Sequence, residues 1–413
     1  MRTYRLLFVL LVFSVTVMAA WEQIGPYGGY VRSLVVSHTS DNIVYATSYA
    51  SPTNVAKSTN GGMSWTTVGS IPNQAYCLDI DPTNDAKLYA GSGHEMYRST
   101  NGGVTWLATS MTNKYIYGVA VNPLVVTTVY ASGMSWNGSK WTTAFFKSTD
   151  SGANWTTAVV DTNQGQANCI AVDRTNPNTV YVGGYWYNSG AGTYYPLVYK
   201  TTNAGTSWTD ITGTIPAGAY YVYSMAVHPT NSNIVYTGTY LSGIYRSTDA
   251  GATWTQANTH YYNYAMAVSA AAPNVAYSAG YSDIYKTTDA GATWAVTGSG
   301  LTGYNPYGLA MSATSASVVY AGDNNGVFKT TTAGSSWLNT NNNINLGSIC
   351  TFASAPSSPG VMYTSFEAIG VYKTTNSGTS WALLPTPVSC GNICEFAVNN
   401  TNPNLVYALE GGG

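Results

Sequence analysis

The chain has 413 residues, with 15 Lys and Arg against 17 Asp and Glu, so charged side chains make up only 8% of it. Setting Arg2 and Arg5 aside leaves 13 basic residues, a balance that offers no basic face for nucleic acid or anionic lipid. The surface must be built from Asn, Thr, Ser, Gly and Tyr, which suits a neutral glycan or cell-surface polymer better than a phosphate.

Residues 1–20 read as an export signal. Arg2 and Arg5 form a basic start, Leu6–Val17 is an apolar stretch too short to span a bilayer, and Val17-Met18-Ala19-Ala20 is a small-residue cleavage site. No later segment approaches eighteen apolar residues, so residues 21–413 are expected to be secreted, extracellular and monomeric, without membrane insertion.

From Trp21-Glu22-Gln23-Ile24-Gly25, which resembles an isolated fourth strand, the chain settles into a repeat. Each period opens with an inner strand A, such as Gly118-Val-Ala-Val-Asn or Ser224-Met-Ala-Val-His, followed by an Asn- and Pro-rich turn. Strand B carries Val-Tyr or a close variant, as at Val44-Tyr45, Val129-Tyr130 and Val319-Tyr320; strand C pairs an aromatic with Lys or Arg, as at Tyr97-Arg98 and Tyr285-Lys286. β-Branched and aromatic runs bounded by Gly, Asn and Pro are strand signatures, and no helical period follows the signal.

Between strands C and D stands an eight-residue phrase, Ser/Thr-Thr-Asp/Asn-x-Gly-x-x-Trp, written eight times. Its tryptophans lie 41, 49, 53, 46, 40, 43 and 44 residues apart, the period of a four-stranded propeller blade. The third residue of the phrase (Asn60, Asn101, Asp150, Asn203, Asp249, Asp289, Thr332, Asn376) is expected to accept hydrogen bonds from turn amides. The Gly takes a conformation that a Cβ opposes, and the Trp wedges between blades. Thr332, where the other copies have Asp or Asn, should weaken its turn without destroying it.

This phrase resembles the Asp-box, or bacterial neuraminidase repeat, of sialidases, xyloglucan-degrading hydrolases and sortilin-type receptors, all β-propellers. The resemblance implies an all-β fold of four-stranded antiparallel blades, with the boxes on the face away from the binding site. Eight complete repeats are expected, plus a composite or incomplete ninth. Trp21 and the Phe396–Leu409 pair could close a ring between the termini; alternatively the chain, which stops soon after Tyr407, is a truncated piece with further blades missing.

Cys77, Cys169, Cys350 and Cys394 occupy the slot where other repeats place Ser33, Gly118, Ser224, Ala265 and Gly308, which marks a tight buried position rather than a bridge. Only Cys390 stands outside that register, and a Cys390–Cys394 link is weakly indicated. His38, His94, His228 and His260 show no ligand spacing, so neither a metal nor another cofactor is expected.

Subtracting the repeat exposes the candidate binding residues. Trp136, Trp141 and Trp186 fall in the two longest B–C connections, 133–144 and 183–196, the second of which adds Tyr185, Tyr187, Tyr194 and Tyr195. Tyr76, Tyr117, Tyr223, Tyr264 and Tyr307 share one register before strand A, and Tyr30, Tyr115, Tyr221 and Tyr262 lie two residues earlier. In a propeller the D–A and B–C connections share a face, so these rings would line one mouth opposite the boxes. Flat aromatics with hydroxyls suit sugar faces; alternatively they bury one another or plug the central channel.

Sialidase resemblance fails on residues, because that chemistry uses three arginines on one carboxylate. Arg98 and Arg246 sit in the strand C slot, which leaves only Arg32 and Arg174. Gly28-Gly29-Tyr30-Val31-Arg32 followed by Val44-Tyr45-Ala46 resembles the opening blade of xyloglucanases, where a catalytic Asp soon follows. Here Thr47-Ser48-Tyr49-Ala50 supplies no acid. A glycoside hydrolase would need a carboxyl pair roughly 5–10 Å apart from among Glu95, Asp161, Asp283, Asp323 and Glu367. The expectation is a carbohydrate-binding propeller without robust catalysis, with a neutral-polysaccharide hydrolase or a sortilin-like protein-interaction module as alternatives.

Overall fold

The structure is a computed structural model that describes residues 30–111, 114–297, 300–301, 306–340, 349–355, 357–366, 370–377, 381–384, 393–398, 402–404 and 406–410. The export signal, Trp21, Gly28, Gly29, Glu367 and Cys390 lie outside the described residues. The chain forms two compact units, the larger made of residues 27–349 and 366–369.

Each period folds into antiparallel strands in the order A-B-C-D. In the first they are Val31–Val36, Val44–Ser48, Thr53–Ser58 and Thr66–Ile71. The second spans 75–108, the fifth 222–258, the sixth 265–296 and the seventh 308–339. The third and fourth share one strand, Thr156–Val172, which serves as D of one and A of the next, and so merge into a seven-stranded sheet. The only helical element among the described residues is a 3₁₀ turn at Ala217–Ala219.

The repeated phrase does what its residues predict. In the first copy the Ser58 hydroxyl accepts from the Gly62 amide (2.8 Å) and donates to Asn60 Oδ1 (2.9 Å), which accepts from the Ser64 amide (2.9 Å). The same bonds recur at Asn101, Asp150, Asn203, Asp249 and Asp289. Where Thr332 stands, its hydroxyl accepts the Ser336 amide at 3.1 Å, so the turn survives on a hydroxyl acceptor. The residue before the Gly is left-handed in all eight copies, with φ between 54° and 69°.

Adjacent blades are tied by the framework side chains. Strand B tyrosines are buried, and their hydroxyls reach the next blade: Tyr45 donates to the Asp85 carbonyl (3.0 Å) and Tyr181 to Ala250 (3.3 Å). The strand C cation lies over the strand B ring and donates to the next phrase's turn, as Lys200 does to the Ala250 carbonyl (3.1 Å) and Lys286 to Ala333 (2.9 Å). The Lys/Arg slot is thus an inter-blade clamp. Apolar clusters fill the spaces between sheets, and Cys77 and Cys169 are unbridged.

The expected closure through the two termini is not how the larger unit closes. Its seventh blade binds the first directly: Tyr320 and Lys329 donate to the Gly61 carbonyl at 3.0 and 2.7 Å, and Trp65 Nε1 donates to Thr340 at 2.7 Å. Ser312 also donates to Asp41 (2.7 Å), and one apolar cluster joins Val31 and Leu34 to Tyr320 and Val327. Seven blades make this ring, the arrangement of a β-propeller, because the clamp of the seventh finds its acceptor on the first. The eighth phrase belongs to the smaller unit, which takes in residues 350–365 and 370–413 and holds the strand pair Ile393–Val398 and Val406–Glu410. There the strand B Tyr363 again donates onward, to the Pro403 carbonyl (2.8 Å), while Lys373 donates to the Asn404 side-chain oxygen (2.6 Å).

Candidate functional site

Every box turn is bonded to the A–B turn of its own blade: Gly61 to Asn42, Ala204 to Asn178, Ala250 to Asn233. The boxes therefore occupy the A–B end of each sheet, and the D–A and B–C connections the other.

At that other end strand A is irregular. Arg32, Tyr76, Tyr117, Asn168 and Tyr223 are each the unpaired extra residue of a bulge, flanked by neighbours that do pair with strand B. A bulge re-aims one side chain while the strand continues. Tyr264 and Tyr307 hold the same register in the sixth and seventh blades, and all seven residues line one cavity of about 550 Å³. Two strand B glycines permit the close strand approach: a Cβ on Gly133 would strike the Tyr115 carbonyl, and one on Gly184 that of Gln166.

Register reasoning identified five of the seven ring members and missed Arg32 and Asn168, because they are not tyrosines. The signal was present, since each immediately precedes the small slot residue, Ser33 or Cys169. Aromatic packing runs round the ring. Tyr76 meets Tyr117 at 4.9 Å between centroids, Tyr223 meets Tyr264 at 5.3 Å, and Tyr264 meets Tyr307 at 4.5 Å. The Arg32 guanidinium lies 4.7 Å from the Tyr307 ring centre and 5.6 Å from that of Tyr76. Burial pushes the Tyr30, Tyr117, Tyr223 and Tyr264 phenols well above their ordinary range, so they remain protonated hydrogen-bond donors. The tyrosines line the channel mouth and leave it open.

The B–C insertions are extended hairpins rather than loops. Val129–Trp136 pairs with Trp141–Ser148 up to a Trp136–Trp141 cross-strand pair, and Val180–Asn188 pairs with Thr193–Thr201. Trp136 is 47% exposed and meets Trp141 edge-on at 5.6 Å; Trp141 meets Tyr115 at 5.0 Å, and Tyr115 stacks near Tyr117 at 6.3 Å. An aromatic track thus leads from an exposed indole to the cavity wall.

On the neighbouring hairpin the period of two separates the rings. Tyr185 and Tyr194 turn to Tyr221 and so toward the mouth, and Tyr187 joins them through Tyr194. Trp186 instead stacks on Tyr195 at 4.7 Å beside a separate cleft of about 370 Å³.

Among the described residues, three of the candidate carboxylates are held apart from one another. Glu95 accepts from Tyr97 (3.1 Å), Asp283 from Ser282 (3.1 Å), and Asp323 from the Asn325 amide (2.7 Å), each on a different blade. Asp161 alone lines a cleft, the one beside Trp186, and shares it with Asp210, which the repeat had not singled out. Further along the channel, about 510 Å³ is lined by His38, Asp79 and Arg174 among apolar residues. Burial raises Asp79 to about 6 although the Val121 amide donates to it at 2.7 Å. Among the described residues no group of three His, Cys, Asp or Glu gathers as a metal site.

No family model matches the chain, and no curated protein matches it. Solved structures do. The GH74 xyloglucanase of Xanthomonas campestris superposes with a TM-score of 0.66 at 13% identity, over 92% of this chain and 71% of that one. The extracellular domain of BT4673 from B. thetaiotaomicron gives 0.53 at 12%, over 94% and 50%. YCF48 bound to D1 peptide gives 0.50 at 12%, over 74% and 92%. These likenesses place the chain among β-propellers with a glycoside-hydrolase-like fold, and at such identities they speak to the fold alone.

Proposed function

We propose that the protein is an exported carbohydrate-binding β-propeller whose ligand lies along the aromatic mouth, on the face opposite the repeated turns, which we read as Asp-boxes. The supporting observation is the track from Trp136 through Trp141, Tyr115 and Tyr117 into an open, tyrosine-lined cavity. A cavity of this size, lined by flat hydroxylated rings, suits a short stretch of sugar units. The scattered carboxylates favour binding over hydrolysis.

Retention on a panel of immobilised polysaccharides tests this reading. Trp136→Ala should lose retention on the polymer that holds the unaltered protein, while Tm stays within about 2 °C, since the indole is half exposed. Unchanged retention would sink the assignment. The xyloglucanase likeness keeps a second reading in play, hydrolysis at the Asp161–Asp210 cleft beside Trp186. Reducing-sugar release abolished by Asp161→Asn would favour it.

A further inference from the structure

The seven ring positions are structurally equivalent, yet their chemistry is uneven. Five are tyrosines, one is Asn168, and one is Arg32. Asn168 is already engaged, since it accepts from Gln166 (2.6 Å) and donates to the Val222 carbonyl (2.9 Å). Arg32 is not so engaged. Its Nε is buried without a hydrogen-bond partner, and its neighbours are the rings of Tyr49, Tyr76 and Tyr307. No Asp or Glu lines this cavity, and the only Lys/Arg ion pair among the described residues is Lys87–Asp81, on the second blade.

A guanidinium cannot discharge when desolvated, and ring faces compensate only part of its lost hydration. Its remaining demand is for an anion of planar, bidentate geometry. Phenol donors on either side would add hydrogen bonds to the same group or to adjacent hydroxyls.

Resting on the glycan-binding reading above, we infer that the occupant of this cavity is an acidic saccharide, whose uronate-type carboxylate seats on Arg32 while its rings lie against the tyrosines. Arg32 therefore orients the chain of sugars and selects for charge, a selection that the overall composition of the protein conceals. A sugar is the better fit than a peptide terminus because the cavity wall is made of flat hydroxylated rings.

The probes are polygalacturonate, alginate and hyaluronan, each compared with its carboxyl-reduced neutral form, by affinity electrophoresis and titration calorimetry on the full chain. At least one acidic polymer should bind at least tenfold more tightly than its reduced form. Arg32→Gln should erase that preference by weakening the acidic form at least tenfold, and Arg32→Lys should restore part of it. Thermal melting of both variants separates a folding defect from a lost contact.

Equal binding of acidic and reduced forms, or a preference that survives Arg32→Gln, overturns the inference while the glycan-binding reading stands. Retention of neutral polymers only has the same consequence. Arg32-dependent binding of a peptide with a free carboxyl terminus, with no acidic polymer bound, overturns it in favour of a protein partner and removes the glycan reading as well.

Discussion

Ala250 sits at φ 59°, a conformation that Cβ opposes, as do Ala204 and Ala290 in their own turns at 54° and 55°. The two first copies of the phrase use Gly61 and Gly102 at this position, and the others use Ala or Ser, never anything larger. Left-handed backbone costs an L-residue about 1–2 kcal/mol, part of which returns because glycine gives the unfolded chain more freedom. Ala250→Gly should therefore raise unfolding stability by roughly 0.5–1 kcal/mol, read from a urea transition. A loss would mean that the methyl packs usefully. The small residue was visible in the sequence, but its reason was not, because the phrase itself draws attention to the following Gly. Thr332 was legible in the other direction: a hydroxyl can accept one amide bond, and it does.

Among elements, the inner strands carry the site and one internal titration. Asp79, on strand A of the second blade, accepts the Val121 amide from strand A of the third. Its surroundings raise it from an ordinary 3.8 to about 6, chiefly by desolvation, so it binds its proton more tightly folded than unfolded. Its contribution to stability is therefore fullest below pH 3.8 and is lost as pH rises through about 6. Asp79→Asn should flatten the stability–pH curve across that window, a change of at most roughly 3 kcal/mol. An unaltered slope would place the titration elsewhere. Strand assignment from Val-Tyr and other β-branched and aromatic runs bounded by Gly, Asn and Pro was reliable at this scale. The two Trp-bearing insertions were harder to read, because their polar, Gly-rich composition suggests loops. Only cross-strand aromatic pairing, Trp136 on Trp141 and Trp186 on Tyr195, makes them hairpins.

At the scale of the whole larger unit, the closing interface differs from the other six in having no chain connection behind it. Lys200 and Lys286 clamp blades that the backbone also links, whereas Lys329 reaches Gly61 across 268 positions of sequence. Losing a clamp should matter most where nothing covalent limits separation. Lys329→Met is expected to lower Tm more than Lys200→Met, with hydrogen exchange rising first in residues 31–48 and 308–330. Equal losses at the two interfaces would show that the clamps act locally and that closure rests on the apolar cluster around Val31 and Tyr320.

The amino-acid order by itself determined the strand content, the four-strand period, the turn chemistry and the five tyrosines of the mouth, because each depends on residues within one repeat of about 40 positions. Where the ring closes, which residues complete the mouth and which way each hairpin ring faces were decided only by tertiary structure. The physical reason is common to all three. A clamp needs an acceptor on another blade, a bulge turns a side chain regardless of its type, and a cavity is defined by seven chain segments at once. Arg32 shows the difference most clearly. In sequence it is one arginine too few for a sialidase; in the folded ring it is a lone guanidinium among tyrosines.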